Sequence, residues 1–332
     1  MITVDAAQCR QLARRLDLLQ VMPDEFVQQA VTPEEKRREA NLWFFLVAAC
    51  QSTRTLQGAI DGVWYRGWDY MVRAARRRMA EVPDYFVAAQ LAQVDGDALR
   101  RLFSDDGVAE HSTLDRIEER VTQWHDAAHV LLEQYGGDVM NLYEAAEHRL
   151  RGEGGILARM ATVQAYSDPV EKKSFLLIMF THKCGAWQVD DLTNLKVAID
   201  YHIMRIALRS GMVRVEDAEL ARQLQARQPV SAEQDNLVRV AVRDACDLLI
   251  EYSRHSVFEV DNILWMIGRN CCFYDYDPIC GEHACWRQKE CSLLRGIAYD
   301  CPGACVFDGV CLGSRDPAYR AYWETTLYTS FY

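Results

Sequence analysis

Asp200 opens the amphipathic stretch VAIDYHIMRIALRSGMV, residues 197–213, and is followed at once by Tyr201 and His202. A carboxylate at a helix N-terminus is stabilised by the free N–H groups and the helix dipole, by up to ~2 kcal/mol. Pattern alone reads Asp200 as an N-cap, with Ile203, Ile206 and Ala207 on the apolar face and Arg205, Arg209 and Arg214 facing elsewhere. The same position can hold a negative charge for chemistry. Asp168-Pro169-Val170-Glu171 starts a helix capped by Asp168, and Lys172 and Lys173 lie one turn into it. A surface ammonium titrates near 10.4 and is a poor nucleophile, and lowering it by about three units costs roughly 4 kcal/mol. Burial among Phe175, Leu177 and Phe180 would supply that; two solvated lysines on a polar face are the alternative. DGVWYRGWDY, residues 61–70, places Trp64, Tyr65, Trp68 and Tyr70 close together, either to sandwich a flat ring or to pack the core. Arg66, Arg73, Arg76, Arg77 and Arg78 follow, with Arg73, Arg76 and Arg77 on one helical face. Such a face holds phosphates or is simply solvated.

The 12 cysteines are unevenly spread, with eight between Cys271 and Cys311. Cys9, Cys50, Cys184 and Cys246 sit in helical patterns and read as small core residues. In the tail, Cys280, Cys285 and Cys291 are separated by four and five residues, and Cys301, Cys305 and Cys311 by three and five. Four of these six would satisfy a metal centre, with Cys271, Cys272 and His283 as spare ligands. In a reducing compartment a dense cluster points to metal before disulfides. Zinc and an iron–sulfur cluster both stay open on spacing.

The elements that must position these residues are helical. The chain has 332 residues, half of them hydrophobic, and a net charge of −11. That charge argues against sequence-independent nucleic-acid binding unless a local basic patch overturns it. Thr32-Pro33-Glu34-Glu35 is a capping box with proline at the first helical position, launching a helix that becomes apolar at NLWFFLVAAC. Further helices are predicted over STLDRIEERVTQWHDAAHVLLEQYGG, over EKKSFLLIMFTHK ending at Gly185, and over VSAEQDNLVRVAVRDACDLLIEYSRH. No run of period-two strands stands out, and no low-complexity linker divides the chain. The expected architecture is all-α, with a helical body over residues 1–270 and an irregular Cys-rich segment over 271–332. No apolar run is long enough to span a membrane, and the charged, amphipathic start lacks a signal-peptide core. A cytoplasmic monomer with no membrane association is expected.

AIDYHIMRIALRSGMV, residues 198–213, resembles the segment of helix-hairpin-helix DNA glycosylases that runs from aspartate through His or Arg and a further Arg to Gly and Val or Leu. SDPVEKKSFLLIMF, residues 167–180, resembles the lysine-bearing helix of the archaeal 8-oxoguanine glycosylases. VDNILWMIGR, residues 260–269, resembles their Asp-x-x-Leu-Trp helix, and residues 46–78 are similar to their early helix pair. The order agrees over about residues 40–270. Queuosine-nucleotide N-glycosidases share an Ala-Asp-Tyr-Arg segment at the Asp200 position and a similar Asp-x-x-Leu-Trp, and they act on a free nucleotide. Two features depart from the pattern. HKCGAWQVDDLTN, residues 182–194, stands where a Leu-Pro-Gly-Val-Gly hairpin precedes the aspartate in the glycosylases, and their common iron–sulfur cysteine spacing is absent.

The resemblance implies a two-lobed helix-hairpin-helix glycosylase fold with a base pocket between the lobes. It makes Asp200 the catalytic carboxylate, which stabilises the cationic sugar as the N-glycosidic bond breaks. It makes Lys173, or next Lys172, an amine that attacks C1′ and allows strand cleavage. Gln51 would fill the stack left by a flipped base, which Trp64, Tyr65 and Trp68 would hold. Tyr201, His202, Asp261 and Trp265 would position the substrate, and Arg66, Arg73, Arg76 and Arg77 would hold DNA phosphates. A [4Fe–4S] cluster is the first choice for the tail, because related glycosylases carry one, with zinc next. No nucleotide cofactor is implied. The expected function is excision of a modified base from double-stranded DNA, in base-excision repair or in anti-phage defence, as in bacterial glycosylases that remove glucosylated hydroxymethylcytosine. The alternatives are a nucleotide N-glycosidase of the queuosine-salvage type and a non-catalytic, metal-stabilised nucleic-acid binder.

Overall fold

Local capping chemistry starts three of the long helices. The Thr32 hydroxyl accepts from the Glu35 N–H while the Glu35 carboxylate accepts from the Thr32 N–H, and Pro33 takes the first position of the helix Pro33–Ala48. From Glu39 to Ala48 every residue of that helix is buried, as an all-round apolar surface requires. Ser231 with Gln234 and Ser256 with Glu259 repeat the capping box ahead of the helices Ala232–Tyr252 and Val257–Asn270. Gly136, left-handed at φ 61°, ends the helix Ile117–Tyr135. In the computed structural model, which describes residues 1–274, 277–280, 285 and 291–332, the fold is all-α. No helix among the described residues is long and apolar enough to cross a membrane.

Three short antiparallel pairs supplement the helices among the described residues: Ile2–Val4 with Val213–Val215, Gln20–Val21 with Ile297–Ala298, and Gln57–Ile60 with Val63–Arg66. The last is a hairpin turned by Asp61 and Gly62, both at positive φ (51° and 78°). Asp-Gly is the dipeptide such a turn selects, so the aromatic patch at residues 61–70 is half hairpin rather than all helix.

The chain forms two compact units, each built from more than one stretch of sequence. The first comprises Met1–Glu25 and Lys196–Tyr328. Its N-terminal helix Ala6–Leu16 packs on Ala232–Tyr252, and the helix Tyr201–Ser210 packs on Val257–Asn270. Gly268 permits that second contact, because a Cβ there would lie 2.6 Å from the His202 Cβ. The Cys-rich residues up to Cys311 belong to this unit. The second unit comprises Phe26–Leu195 and Thr329–Tyr332, and centres on Pro33–Ala48 with Ile117–Tyr135 and Lys172–Lys183 against it. Trp43 is fully buried there, stacked on Phe180 at 4.1 Å between ring centres.

Candidate functional site

In the first unit, residues Val197 to Ile199 run buried and irregular into the helix Tyr201–Ser210. The Asp261 carboxylate accepts from the Ala198 N–H at 2.8 Å, which pins this approach. Asp200 then caps the helix: its Oδ1 accepts from the His202 and Ile203 N–H groups at 2.8 and 3.0 Å. Two N–H donors and the positive helix end stabilise negative charge on this carboxylate. Asp200 is 7 % exposed, so it is nearly but not wholly enclosed.

Behind Asp200 the helix is held by a buried guanidinium. Arg205 is fully buried, against the expectation that it faces away from the core. Its Nε donates to the Cys272 carbonyl at 2.8 Å, Nη1 to Glu324 Oε2 at 2.8 Å and Nη2 to the Gly268 carbonyl at 3.0 Å. Nη2 also lies 3.0 Å from His202 Nδ1, so Arg205 orients the histidine. Burial alone would lower the guanidinium pKa, but Glu324 reverses this and raises it. Arg209 is likewise buried, with its guanidinium 4.2 Å over the Trp323 ring. Local sequence carries no signal for these arginines, whose partners lie 60 to 120 residues away in the chain (|i−j| of 63 and 119). Tyr201 packs on the His202 ring at 4.3 Å, and Trp265 meets His202 edge-on at 6.5 Å. The structure therefore brings Asp200, Tyr201, His202, Asp261 and Trp265 together around one helix start.

The second unit holds the lysines. Asp168 is buried and accepts from the Val170 and Lys172 N–H groups, starting the helix Lys172–Lys183. Both lysines are buried rather than solvated. Lys173 is completely enclosed, donating to the Ala48 carbonyl and to Gln123 Oε1 at 3.4 Å. Burial, reinforced by the Lys172 and Arg120 cations and opposed by Cys50, pushes its ammonium down to about 7. The same enclosure surrounds the amine with protein. Lys172 lies against Cys50, Nζ to Sγ 3.7 Å.

The residues expected to meet a base and phosphates divide. Gln51, expected to fill an emptied base stack, is fully buried and donates to Glu119 Oε1 at 3.2 Å. Trp68 packs on Trp43 and Phe180, at 6.3 and 5.6 Å between ring centres, as part of the core cluster. Trp64 alone stands out, 60 % exposed on the hairpin beside an exposed Arg66. Arg76 is bound through both terminal nitrogens to the buried Glu39. Arg77 donates to the Ser104 and Asp105 carbonyls, and Arg73 lies 4.4 Å over the Tyr65 ring. Arg73, Arg76 and Arg77 are thus engaged within the fold, and Glu39 neutralises the charge of Arg76.

None of the 12 cysteines is joined in a disulfide. Cys280, Cys305 and Cys311 line one cavity together with Cys271 and Cys272, the pair expected to be spare. Cys285, Cys291 and Cys301 do not line it. His283 lies outside the described residues.

A family model described as queuosine salvage protein matches residues 42–157. That stretch lies wholly within the second unit and does not include Asp200. No curated protein matches the chain.

Proposed function

We propose that this chain is an N-glycosidase acting on a free modified nucleotide of the queuosine type. The observation that carries the reading is the Asp200 carboxylate, held against two N–H donors at a helix start in the company of Tyr201, His202 and Trp265. Cleavage of an N-glycosidic bond sends the bonding electron pair to the base nitrogen and leaves the sugar C1′ cationic. A fixed carboxylate beside C1′ lowers that barrier by several kcal/mol in a dry site. Water supplies the oxygen that bonds C1′, one of its protons goes to the departing base, and the other stays on the new hydroxyl. Lys173, enclosed by protein, takes no part in this reaction.

The queuosine-salvage likeness of residues 42–157 supports the substrate class, and the net charge of −11 suits a free nucleotide better than a polyanion. Arg76, bound to Glu39, no longer argues for DNA phosphate. A second reading, excision of a modified base from DNA within the helix-hairpin-helix glycosylase superfamily, keeps the exposed Trp64 and Arg66 in its favour.

The test is incubation of the purified chain with queuosine 5′-monophosphate, queuosine, and duplex DNA carrying modified bases, with mass spectrometry of released bases. Release of queuine from the nucleotide and not from DNA is expected, together with loss of release in Asp200→Asn. Release from DNA alone would overturn the nucleotide reading, and release unchanged in Asp200→Asn would overturn the role of the carboxylate. Borohydride trapping in the same reactions should give no adduct.

A further inference from the structure

We infer that Arg227 receives the 5′-phosphate of the nucleotide, at a cationic patch of the first unit that Arg205, Arg209, Tyr274 and Trp323 complete. The inference rests on the N-glycosidase reading and names the group by which the enzyme tells a nucleotide from its nucleoside.

Three guanidinium groups gather on two aromatic rings. The guanidinium carbon of Arg227 lies 3.3 Å from the centre of the Trp323 ring and 4.5 Å from that of Tyr274. Arg209 shares the Trp323 ring at 4.2 Å, and Arg205 the Tyr274 ring at 5.8 Å. One carboxylate, Glu324, serves the group, and Arg205 binds it. Among the described residues, Arg209 donates instead to the Tyr322 and Phe273 carbonyls and to Cys272 Sγ, and Arg227 to the Tyr274 carbonyl at 2.6 Å. Three cations against one carboxylate leave a local surplus of positive charge on a chain of net charge −11. A phosphate monoester, with about −1.5 to −2 charge at pH 7, offsets such a surplus. Arg205 and Arg209 are buried and engaged, whereas Arg227 is exposed. Its planar fork is the geometry that binds phosphate through two parallel N–H donors.

The backbone at Arg227 is the second observation. The helix Ala218–Gln225 ends with the Gln228 N–H donating to the Gln223 carbonyl and the Arg227 N–H to the Leu224 carbonyl. Arg227 takes φ 53°, the left-handed position of this motif, where glycine is the usual residue. An arginine held there is strained, and strain of this kind collects at ligand sites. The side chain, not the turn, is what this position needs arginine for.

The patch borders the start of the Asp200 helix. The Tyr274 ring meets the ring of Tyr201, the residue after Asp200, at 6.5 Å between centres, and Arg205 orients His202. In a nucleoside 5′-monophosphate the phosphate hangs from the ribose on the side away from C1′. A sugar with C1′ at Asp200 can therefore offer its phosphate to a neighbour of Tyr201.

Arg227→Gly removes the guanidinium and relieves the backbone, so the test variant is one the fold accommodates. Rates of queuine release from queuosine 5′-monophosphate and from queuosine, compared as kcat/KM, read the contribution of the phosphate. Wild type should prefer the nucleotide by on the order of 10- to 100-fold, the effect of a hydrogen bond to a charged group. Arg227→Gly should lose most of that preference, falling far more on the nucleotide than on the nucleoside. Arg227→Lys, which keeps the charge without the fork, should show an intermediate preference, and it decides if circular dichroism shows the glycine variant unfolded. No nucleotide preference in wild type, a preference unchanged in the variants, or equal loss on both substrates would overturn the assignment. If wild type cleaves neither substrate, the N-glycosidase reading fails, and calorimetric titration with inorganic phosphate tests Arg227 by itself. Binding by wild type and not by Arg227→Gly would then uphold the phosphate site; equal binding, or none, would overturn it.

Discussion

The helix starting at Asp200 and the helix starting at Lys172 solve opposite electrostatic problems. The first places a carboxylate where the helix end favours negative charge, and two N–H groups bind it. Its buried cation, Arg205, meets a carboxylate and two carbonyls in a planar fork, and Glu324 raises its pKa. The second places two cations in its first turn, where the dipole opposes them, and encloses Lys173 with a carbonyl and an amide as hydrogen-bond partners. Lys173 responds by falling to about 7. A guanidinium keeps its charge when buried because its five donors find fixed acceptors, whereas an ammonium in such a place gives up its proton. The first region is therefore built to keep charge and the second to shed it.

The largest expected effect separates charge from structure at Asp200. Asparagine caps a helix about as well as aspartate, so Asp200→Asn should unfold within a few tenths of a kcal/mol of wild type. Removing an electrostatic group at the reacting centre costs on the order of 10³-fold in turnover, and base release should fall by that much. Rate by mass spectrometry and stability by urea denaturation, measured on one preparation, check both. A variant that is active but unstable would make Asp200 a cap and nothing more.

Next is the Arg205–Glu324 pair, whose side chains are 0 % and 5 % exposed. Glu324→Ala strands a buried guanidinium and should destabilise by about 3–5 kcal/mol. A loss under about 1 kcal/mol, the range of an exposed pair, would break the contrast with the second unit.

Lys173→Met should act in the other direction and with pH. The folded-state pKa of about 7 lies below the ordinary 10.5, so between these values the unfolded chain binds a proton that the folded chain lacks. Wild-type stability, relative to the variant, should rise from about pH 7 to pH 10.5 and level off beyond. Below pH 7 the burial cost is fully present, and methionine should gain on the order of a few kcal/mol. Denaturation midpoints of both proteins across pH 6–11 measure the difference; parallel profiles would mean that Lys173 keeps its proton when folded.

What the sequence made legible was local. The capping box at Thr32, the stop at Gly136 and the cap at Asp200 all act within four residues, and each appears in the structure where the chain announces it. Asp61-Gly62 marks a two-residue hairpin turn, whereas the resemblance places residues 46–78 in a helix pair. The rest is non-local. Three-residue strands such as Ile2–Val4 are too short for periodicity, and the partner lies more than 200 residues away. Arg76 looked like a phosphate ligand because its face of the helix Trp68–Glu81 is basic, and only the fold brings Glu39 to it. The cysteine tail showed how many sulfurs there are, while the cavity that five of them help line needed the helix end at Cys271 and Cys272 as well as the tail.

The smallest effect asks whether the second unit has its own counterpart to Asp200. Asp168 accepts from the Val170 and Lys172 N–H groups at 3.1 and 2.9 Å, and two lysines follow it. If it serves only to satisfy these donors, Asp168→Ala should cost about 1 kcal/mol, and Asp168→Asn should restore nearly all of it at every pH. If its charge offsets the lysines, asparagine should fail below about pH 7, where Lys173 is protonated, and succeed above. Burial and the neighbouring Cys50, Lys172, Arg120 and Glu119 set the Lys173 shift, and Asp168 is not among these causes. The expected outcome is therefore rescue by asparagine without pH dependence, read from the three urea midpoints at pH 6 and pH 9. Each helix would then have an aspartate that accepts from N–H groups at its start, and the two would differ in whether that charge has any further use.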